Sequence, residues 1–238
     1  MDSRTAQTLI ELNRQFYQTF GKDFSATRRR IQPGVRRIIL TLDGTERLLD
    51  LGCGNGELAR ELARAGFRGT YTGVDFSPPL LQDAANAPQG FPVNFLQADL
   101  TRSDWSLPLT PGFSLITCFA TLHHIPSQNL RLQFLRQAHA LLTPGGRFVL
   151  SNWQFLNSPR LRARIQPWAR IGLTETDVDP GDYLLDWRAG GEGLRYVHHF
   201  SEAELNDLAA HSGFRVTEMF YSDGENSTLG LYQVWQAG

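Results

Sequence analysis

The sequence predicts an α/β fold, a doubly wound seven-stranded sheet with helices on both faces and an antiparallel last strand. Three observations carry this prediction. Short apolar runs alternate with helical patterns from residue 46 to 152, an order that implies parallel strands joined by right-handed crossovers. The first run leads into a glycine-rich turn that opens a helix, "LLDLGCGNG" at 48–56. The chain closes on two apolar runs around "SDGENS", whose Asp-Gly pair is a hairpin signal. In open sheets of this kind ligands sit outside the carboxyl ends of the strands.

Before the sheet, Leu9, Ile10, Leu12, Phe16, Tyr17 and Phe20 recur at helical spacing, so the first twenty residues read as an amphipathic helix. "IQPGVRRIILTLDG" reads as a second helix, with Pro33 near its first turn and Gly44 beyond its end, which makes residues 1–44 a helical extension. Strands are expected at 46–51, 70–75, 92–97, 113–119 and 147–152, and helices at 56–65, 78–86 and 127–142, the last stopped by "TPGG". Residues 153–199 break the rhythm with arginine-rich "PRLRARIQPWAR", acidic "ETDVDPGD" and scattered aromatics, and read as an insertion or lid on the substrate side. The pattern resumes in "SEAELNDLAAHSG", where Ser201 and Glu204 make a capping box and Gly213 ends the helix. Strands at 214–221 and 228–236 follow, and residues 1–238 read as a single domain.

A formal charge of −1 gives no global attraction for a polyanion. Cys53 and Cys118 lie in apolar, strand-like settings and form neither a disulfide framework nor a metal spacing. The first twenty residues lack both a basic start and a continuous apolar core, and no later stretch approaches the length of a membrane span. The expectation is a soluble, cytoplasmic protein without a metal and without a membrane partner.

Gly52 and Gly54 let the backbone turn sharply and approach a ligand, and Gly56 lies where the next helix begins. The dinucleotide fingerprint G-x-G-x-x-G would need glycine at the position of Glu57. A pyrophosphate would be repelled by that carboxylate and by Asp50, whereas a ligand carrying ammonium and sulfonium groups would not. Asp75 closes the second strand, where a carboxylate can accept both ribose hydroxyls of an adenosine. Asp99, ending the third strand, is placed to accept from an adenine amino group. One aspartate in such a place serves as readily as a helix cap; three at successive strand ends beside "GCGNG" form a ligand site.

This constellation resembles the class I S-adenosylmethionine-dependent methyltransferases, with their Rossmann-like sheet, over residues 45–238. The resemblance implies S-adenosylmethionine as methyl donor and S-adenosylhomocysteine as product. Asp50, Gly52 and Gly54 would hold the methionine part, Asp75 the ribose, and Asp99 with Leu100 the adenine, with Cys53, Phe76, Phe119 and His124 completing the donor site. His123 and His124, in "CFATLHHIPS", fit a structural or donor-site role better than that of a general base.

Further segments, "FYQTFGKDFSATRRRIQP", "SNWQF", "PGDYLLDW", "RYVHHFSEAEL" and "GFRV", are similar to the tRNA wobble-uridine carboxymethyl methyltransferases, a family that includes the domain fused to an AlkB-like oxygenase in animals. That family esterifies the carboxylate of 5-carboxymethyluridine. Such an acceptor is already ionised at neutral pH and needs no base, only in-line placement and exclusion of water. The resemblance makes Arg195 the first choice to grip the carboxylate, with His198 and Trp153 shaping the pocket and Arg28 as a second substrate-binding candidate. Without that role, Arg195 would pair with acids of 175–186 and Trp153 would be a core aromatic. The basic runs "TRRRIQPGVRR" and 147–170, the latter free of acids, can neutralise tRNA phosphates. Eukaryotic members work with a small zinc-binding activator protein that docks along the sheet, a further implied partner.

Two positions depart from the family: Val197 replaces a tyrosine, and "LDW" places Asp186 where a carboxylate would repel a carboxylate substrate. Other readings are an O-methyltransferase for a small carboxylic or phenolic metabolite and a donor-binding module without catalysis. A nicotinamide dehydrogenase is disfavoured by Glu57 and by the antiparallel end of the sheet.

Overall fold

The computed structural model describes residues 1–27, 30–86, 90–188 and 191–238, with residues 22–27 described by backbone alone. The main sheet contains β1 (Arg47–Leu51), β2 (Thr70–Asp75), β3 (Val93–Gln97), β4 (Phe113–Phe119), β5 (Leu142–Trp153), β9 (Phe214–Ser222) and β10 (Gly230–Ala237) in the order β3-β2-β1-β4-β5-β10-β9. Strands β1 to β5 are parallel, and β10 runs antiparallel to both β5 and β9. The order reverses between β1 and β4, so the connections leave these two strands in opposite directions and open a crevice at their carboxyl ends.

Successive residues of the central strands face opposite sides of the sheet, and both sides are apolar. Leu49, Ile116, Phe148 and Trp235 pack on one side, under α5 (Gln128–Leu141) and α7 (Glu202–His211); Leu48, Leu115, Val149 and Tyr232 pack on the other, with α2 (Pro33–Ile39) and α3 (Glu57–Arg64). Each such large side chain removed from water contributes about 1.5–3 kcal/mol. Helix α3 buries Leu58, Ala59 and Leu62, and α4 (Pro78–Ala85) buries Leu80 and Ala84.

Several boundaries differ from expectation. Strand β5 begins at Leu142: the "TPGG" stretch interrupts the ladder as a bulge inside the strand, with Leu142 opposite Phe113 and pairing resumed at Arg147 opposite Leu115. The first helix, α1, spans Ser3–Thr27 rather than twenty residues, whereas α2 stops at Ile39. Ser201 caps α7 by accepting from the Glu204 amide at 3.1 Å. The Glu204 carboxylate does not complete a capping box; it turns to His198 Nε2, 2.9 Å away.

Residues 153–199 are built around a second, antiparallel sheet. After the short α6 (Pro159–Arg162), strands β6 (Ile165–Gln166), β7 (Asp182–Trp187) and β8 (Gly193–His198) lie in that order. Helix α1 packs across this sheet, Leu9 against Trp168, Leu184 and Tyr196, and Phe16 against Trp187. Asn13 replaces a strand neighbour: its Oδ1 accepts from the Tyr196 amide at 2.8 Å and its Nδ2 donates to the Tyr196 carbonyl at 3.1 Å. Among the described residues no helix is long and apolar enough to cross a membrane.

Candidate active site

The crevice at the β1/β4 switch point is a cavity of about 260 Å³. Gly52 has φ +79°, and a Cβ there would lie 2.1 Å from Thr121 Oγ1, so only glycine fits the turn. Gly54, at φ +54°, has nothing within 4 Å of the place a Cβ would take, so its backbone is open to a ligand. The amides of Gly52 and Cys53 both donate to the Val74 carbonyl, at 2.8 and 3.0 Å, tying the loop to β2.

Asp50, Gly52, Cys53, Gly54, Asp75, Phe76, Asp99, Leu100, Phe119 and His124 all line this one cavity. The Asp50 carboxylate accepts from the Tyr71 hydroxyl at 2.6 Å and the Thr117 hydroxyl at 2.7 Å. Burial nevertheless pushes its pKa from 3.8 up to about 6, and the nearby Asp75 charge adds to the rise. Asp75 accepts from the amides of Gly54 and Ser77, each at 2.9 Å, and burial raises its pKa too against these bonds. Burial also opposes ionisation of Asp99, but bonds from Thr101 and the Arg14 guanidinium outweigh it and hold the carboxyl below its ordinary value. The loop end of the cavity thus holds two acids that burial leaves short of positive charge, a setting suited to a cationic ligand.

The opposite wall comes from α1 and from residues just before α2. Ile10, Asn13, Arg14 and Tyr17 follow one another at three- and four-residue spacing and face the cavity. Arg14 Nη2 lies 2.7 Å from Asp99 Oδ2. The Tyr17 hydroxyl is 3.0 Å from His124 Nε2, and His124 Nδ1 is 3.1 Å from the Tyr196 carbonyl. Arg30, also on the wall, forms no ion pair among the described residues. The sequence pattern singled out neither Asn13 nor Arg14, whose signal was the helical stripe they share with Tyr17, and it placed Arg30 in a basic run assigned to tRNA phosphates.

The acceptor-side candidates lie elsewhere. Arg195 is buried, 5 % exposed, with its guanidinium carbon 4.9 Å from the Trp153 ring and 5.6 Å from those of Phe16 and Trp187. Phe16 in turn contacts Tyr17, and Tyr17 contacts Phe76, both on the cavity wall, so this cage stands one aromatic layer behind the cavity. Arg195 and Trp153 therefore come together, but neither is among the described residues lining the cavity. Of the acids of β7, Asp182 faces Arg131, Tyr196 and His198, and Asp186 accepts from Arg188 at 2.7 Å. His198 is placed away from the cavity, its Nδ1 2.6 Å from Asp182 and its Nε2 2.9 Å from Glu204. Arg28 lies outside the described residues.

The chain is similar to known methyltransferases. A methyltransferase-domain family model matches residues 24–219. An Encephalitozoon cuniculi protein whose name describes it as a methyltransferase is 30% identical over 208 residues, 86% of this chain and 87% of its own length. The ubiquinone biosynthesis O-methyltransferase of Chromobacterium violaceum is 25% identical over 191 residues, 79% of this chain and 72% of that protein. The magnesium protoporphyrin IX methyltransferase of Synechocystis, solved with bound S-adenosylhomocysteine, shares the fold with a TM-score of 0.63 at 18% identity, covering 96% of this chain and 99% of its own. With its switch-point cavity, glycine loop and strand-end acids, the chain belongs to the class I S-adenosylmethionine-dependent methyltransferases.

Proposed function

We propose that the enzyme methylates a carboxylate oxygen, and that its acceptor is a 5-carboxymethyluridine-type wobble nucleoside in tRNA. The observation that carries this reading is the engagement of both nitrogens of His124, by Tyr17 and by the Tyr196 carbonyl. The imidazole on the cavity wall is thereby not free to take a proton from a hydroxyl acceptor, and a carboxylate has none to give. When bound, the donor supplies a methyl group made electrophilic by its sulfonium. The protein's part is to orient and to exclude water: Asp50 and Asp75 offer negative charge at the loop end, and Arg30 is the wall cation suited to the donor's own carboxylate. Arg195, stacked among Trp153, Phe16 and Trp187, is the guanidinium fork suited to the acceptor carboxylate, which would have to pass the Phe16–Tyr17 layer to reach it. Arg160, Arg162, Arg164 and Arg170 form no ion pair among the described residues and would meet tRNA phosphates. A small zinc-binding activator docked along a sheet edge belongs to the same proposal.

The similarity to ubiquinone biosynthesis O-methyltransferases favours a second reading, a small phenolic acceptor. The two are separated by incubating the protein with labelled donor and total tRNA, digesting to nucleosides, and assaying for an alkali-labile methyl ester. Label in that fraction is expected. Label in a metabolite extract and none in tRNA would replace the first reading with the second.

A further inference from the structure

We propose that Arg14, on helix α1, is a specificity residue that makes the donor site select adenine over a 6-oxo purine. The inference rests on reading Asp99 as the acid at the adenine edge.

A carboxylate offers about four lone-pair positions, two on each oxygen. In Asp99, Oδ1 receives both the Thr101 amide at 3.0 Å and the Thr101 hydroxyl at 2.6 Å. Oδ2 receives one donor, Arg14 Nη2 at 2.7 Å. One acceptor position therefore remains, on Oδ2, and it matches a single exocyclic N–H of adenine. A purine with a carbonyl at that place would set one acceptor against another, as costly as leaving a buried group unsatisfied. Arg14 maintains this arrangement in two ways. It occupies the other Oδ2 position, which fixes the rotation of the carboxylate, and it adds to the two Thr101 bonds that keep Asp99 ionised, so that the acid does not turn into a donor for a 6-oxo group. Its own geometry is fixed by Glu11 one turn earlier on α1, which pairs with Nη1. The Arg14–Asp99 pair also stands between two spaces: both residues line the donor cavity and, with Phe76, a neighbouring groove edged by Gln97 and Trp105. It is the partition against which the purine edge would stop.

The test compares S-adenosylhomocysteine with S-inosylhomocysteine by calorimetry on the full chain, for the wild type, Arg14→Gln and Arg14→Lys, with melting temperatures recorded for each. The wild type should prefer the adenosyl compound by about tenfold or more. In R14Q that preference should shrink severalfold, and R14K should recover part of it. Equal weakening of both compounds in R14Q, or an unchanged preference, would overturn the inference and leave Arg14 as a helix anchor. A wild type that binds both compounds equally would overturn it together with the adenine role of Asp99. A wild type that binds neither would remove the donor-site reading itself.

Discussion

The hydroxyl of Tyr17 on α1 lies 3.0 Å from Nε2 of His124, whose Nδ1 faces the Tyr196 carbonyl at 3.1 Å. A carbonyl only accepts, so Nδ1 carries a proton and Nε2 takes the tyrosine hydroxyl. With a carboxylate acceptor, kcat should be flat from about pH 6.5 to 9, because no group has to lose a proton. Tyr17→Phe should lower kcat by less than about tenfold without changing that profile. A unit-slope rise of kcat with pH, lost in Y17F, would instead identify the pair as a proton relay for a hydroxyl acceptor.

Asp50 predicts how donor binding depends on pH. In the free protein its carboxyl is raised from 3.8 to about 6, so between these values the folded chain holds a proton that the unfolded chain releases. Its contribution to stability is therefore present below the unfolded pKa and is lost as pH rises through about 6. A cationic donor reverses the preference and draws the proton off. Affinity for S-adenosylmethionine should strengthen as pH rises through about 6, by up to about tenfold per unit, and level off near 7. Calorimetry in buffers of different ionisation enthalpy would register the released proton. Asp50→Asn should raise the stability of the free protein at pH 7 by up to about 2–3 kcal/mol while donor affinity collapses; donor affinity equal to wild type would refute the role.

The centre of the main sheet was legible because its strands are apolar on both faces and the first three runs lead into residues that stand out. Asp50, Asp75 and Asp99 follow apolar runs, and the glycines after β1 have no other use at that density. The second sheet was not legible. In β7, "DYLLDW", the two aspartates are buried among polar partners rather than turned to water, so no alternation shows. The inward polar residues of α1 were hidden for a related reason. Asn13 and Arg14 sit between apolar positions of an amphipathic helix, and their partners, Tyr196 and Asp99, are 183 and 85 residues away in sequence. Local pattern carries no trace of such distant pairings. The Glu204 side chain was misread for the same reason: its offset of three from Ser201 suggested a capping box, while the fold gave the carboxylate a histidine and an arginine.

The buried network around Asp182 predicts where His198 acts. Arg131, 1 % exposed, reaches Asp182 at 3.4 Å and the Tyr196 hydroxyl at 2.9 Å, and His198 bridges Asp182 and Glu204. Removing the imidazole leaves Asp182 to Arg131 and Tyr196 but breaks the bridge to Glu204 and opens a buried space, so His198→Ala should cost about 2–4 kcal/mol in chemical denaturation. Donor affinity of the folded variant should stay within about twofold of wild type, because His198 bonds Asp182 and Glu204, neither of which is among the described residues lining the donor cavity. Unchanged stability with lost turnover would return His198 to the chemistry that the sequence resemblance implies.

Arg195 gives the sharpest test of the acceptor. Its guanidinium is walled by Trp153, Phe16 and Trp187, and a planar cation gains from such faces by stacking, whereas an ammonium keeps its charge but loses the stacking area and the two-pronged grip on a carboxylate. Arg195→Lys should therefore leave donor affinity within about twofold while lowering kcat/KM for the tRNA acceptor by about a hundredfold. Arg195→Met, which keeps bulk without charge, separates grip from packing: it should match or exceed the lysine variant's catalytic loss while melting closer to wild type than a truncation to alanine. If both variants turned over the acceptor at the wild-type rate and only their melting temperatures fell, the guanidinium would be a packing element of the aromatic cage. The acceptor carboxylate would then have to be held by a residue on the cavity wall itself.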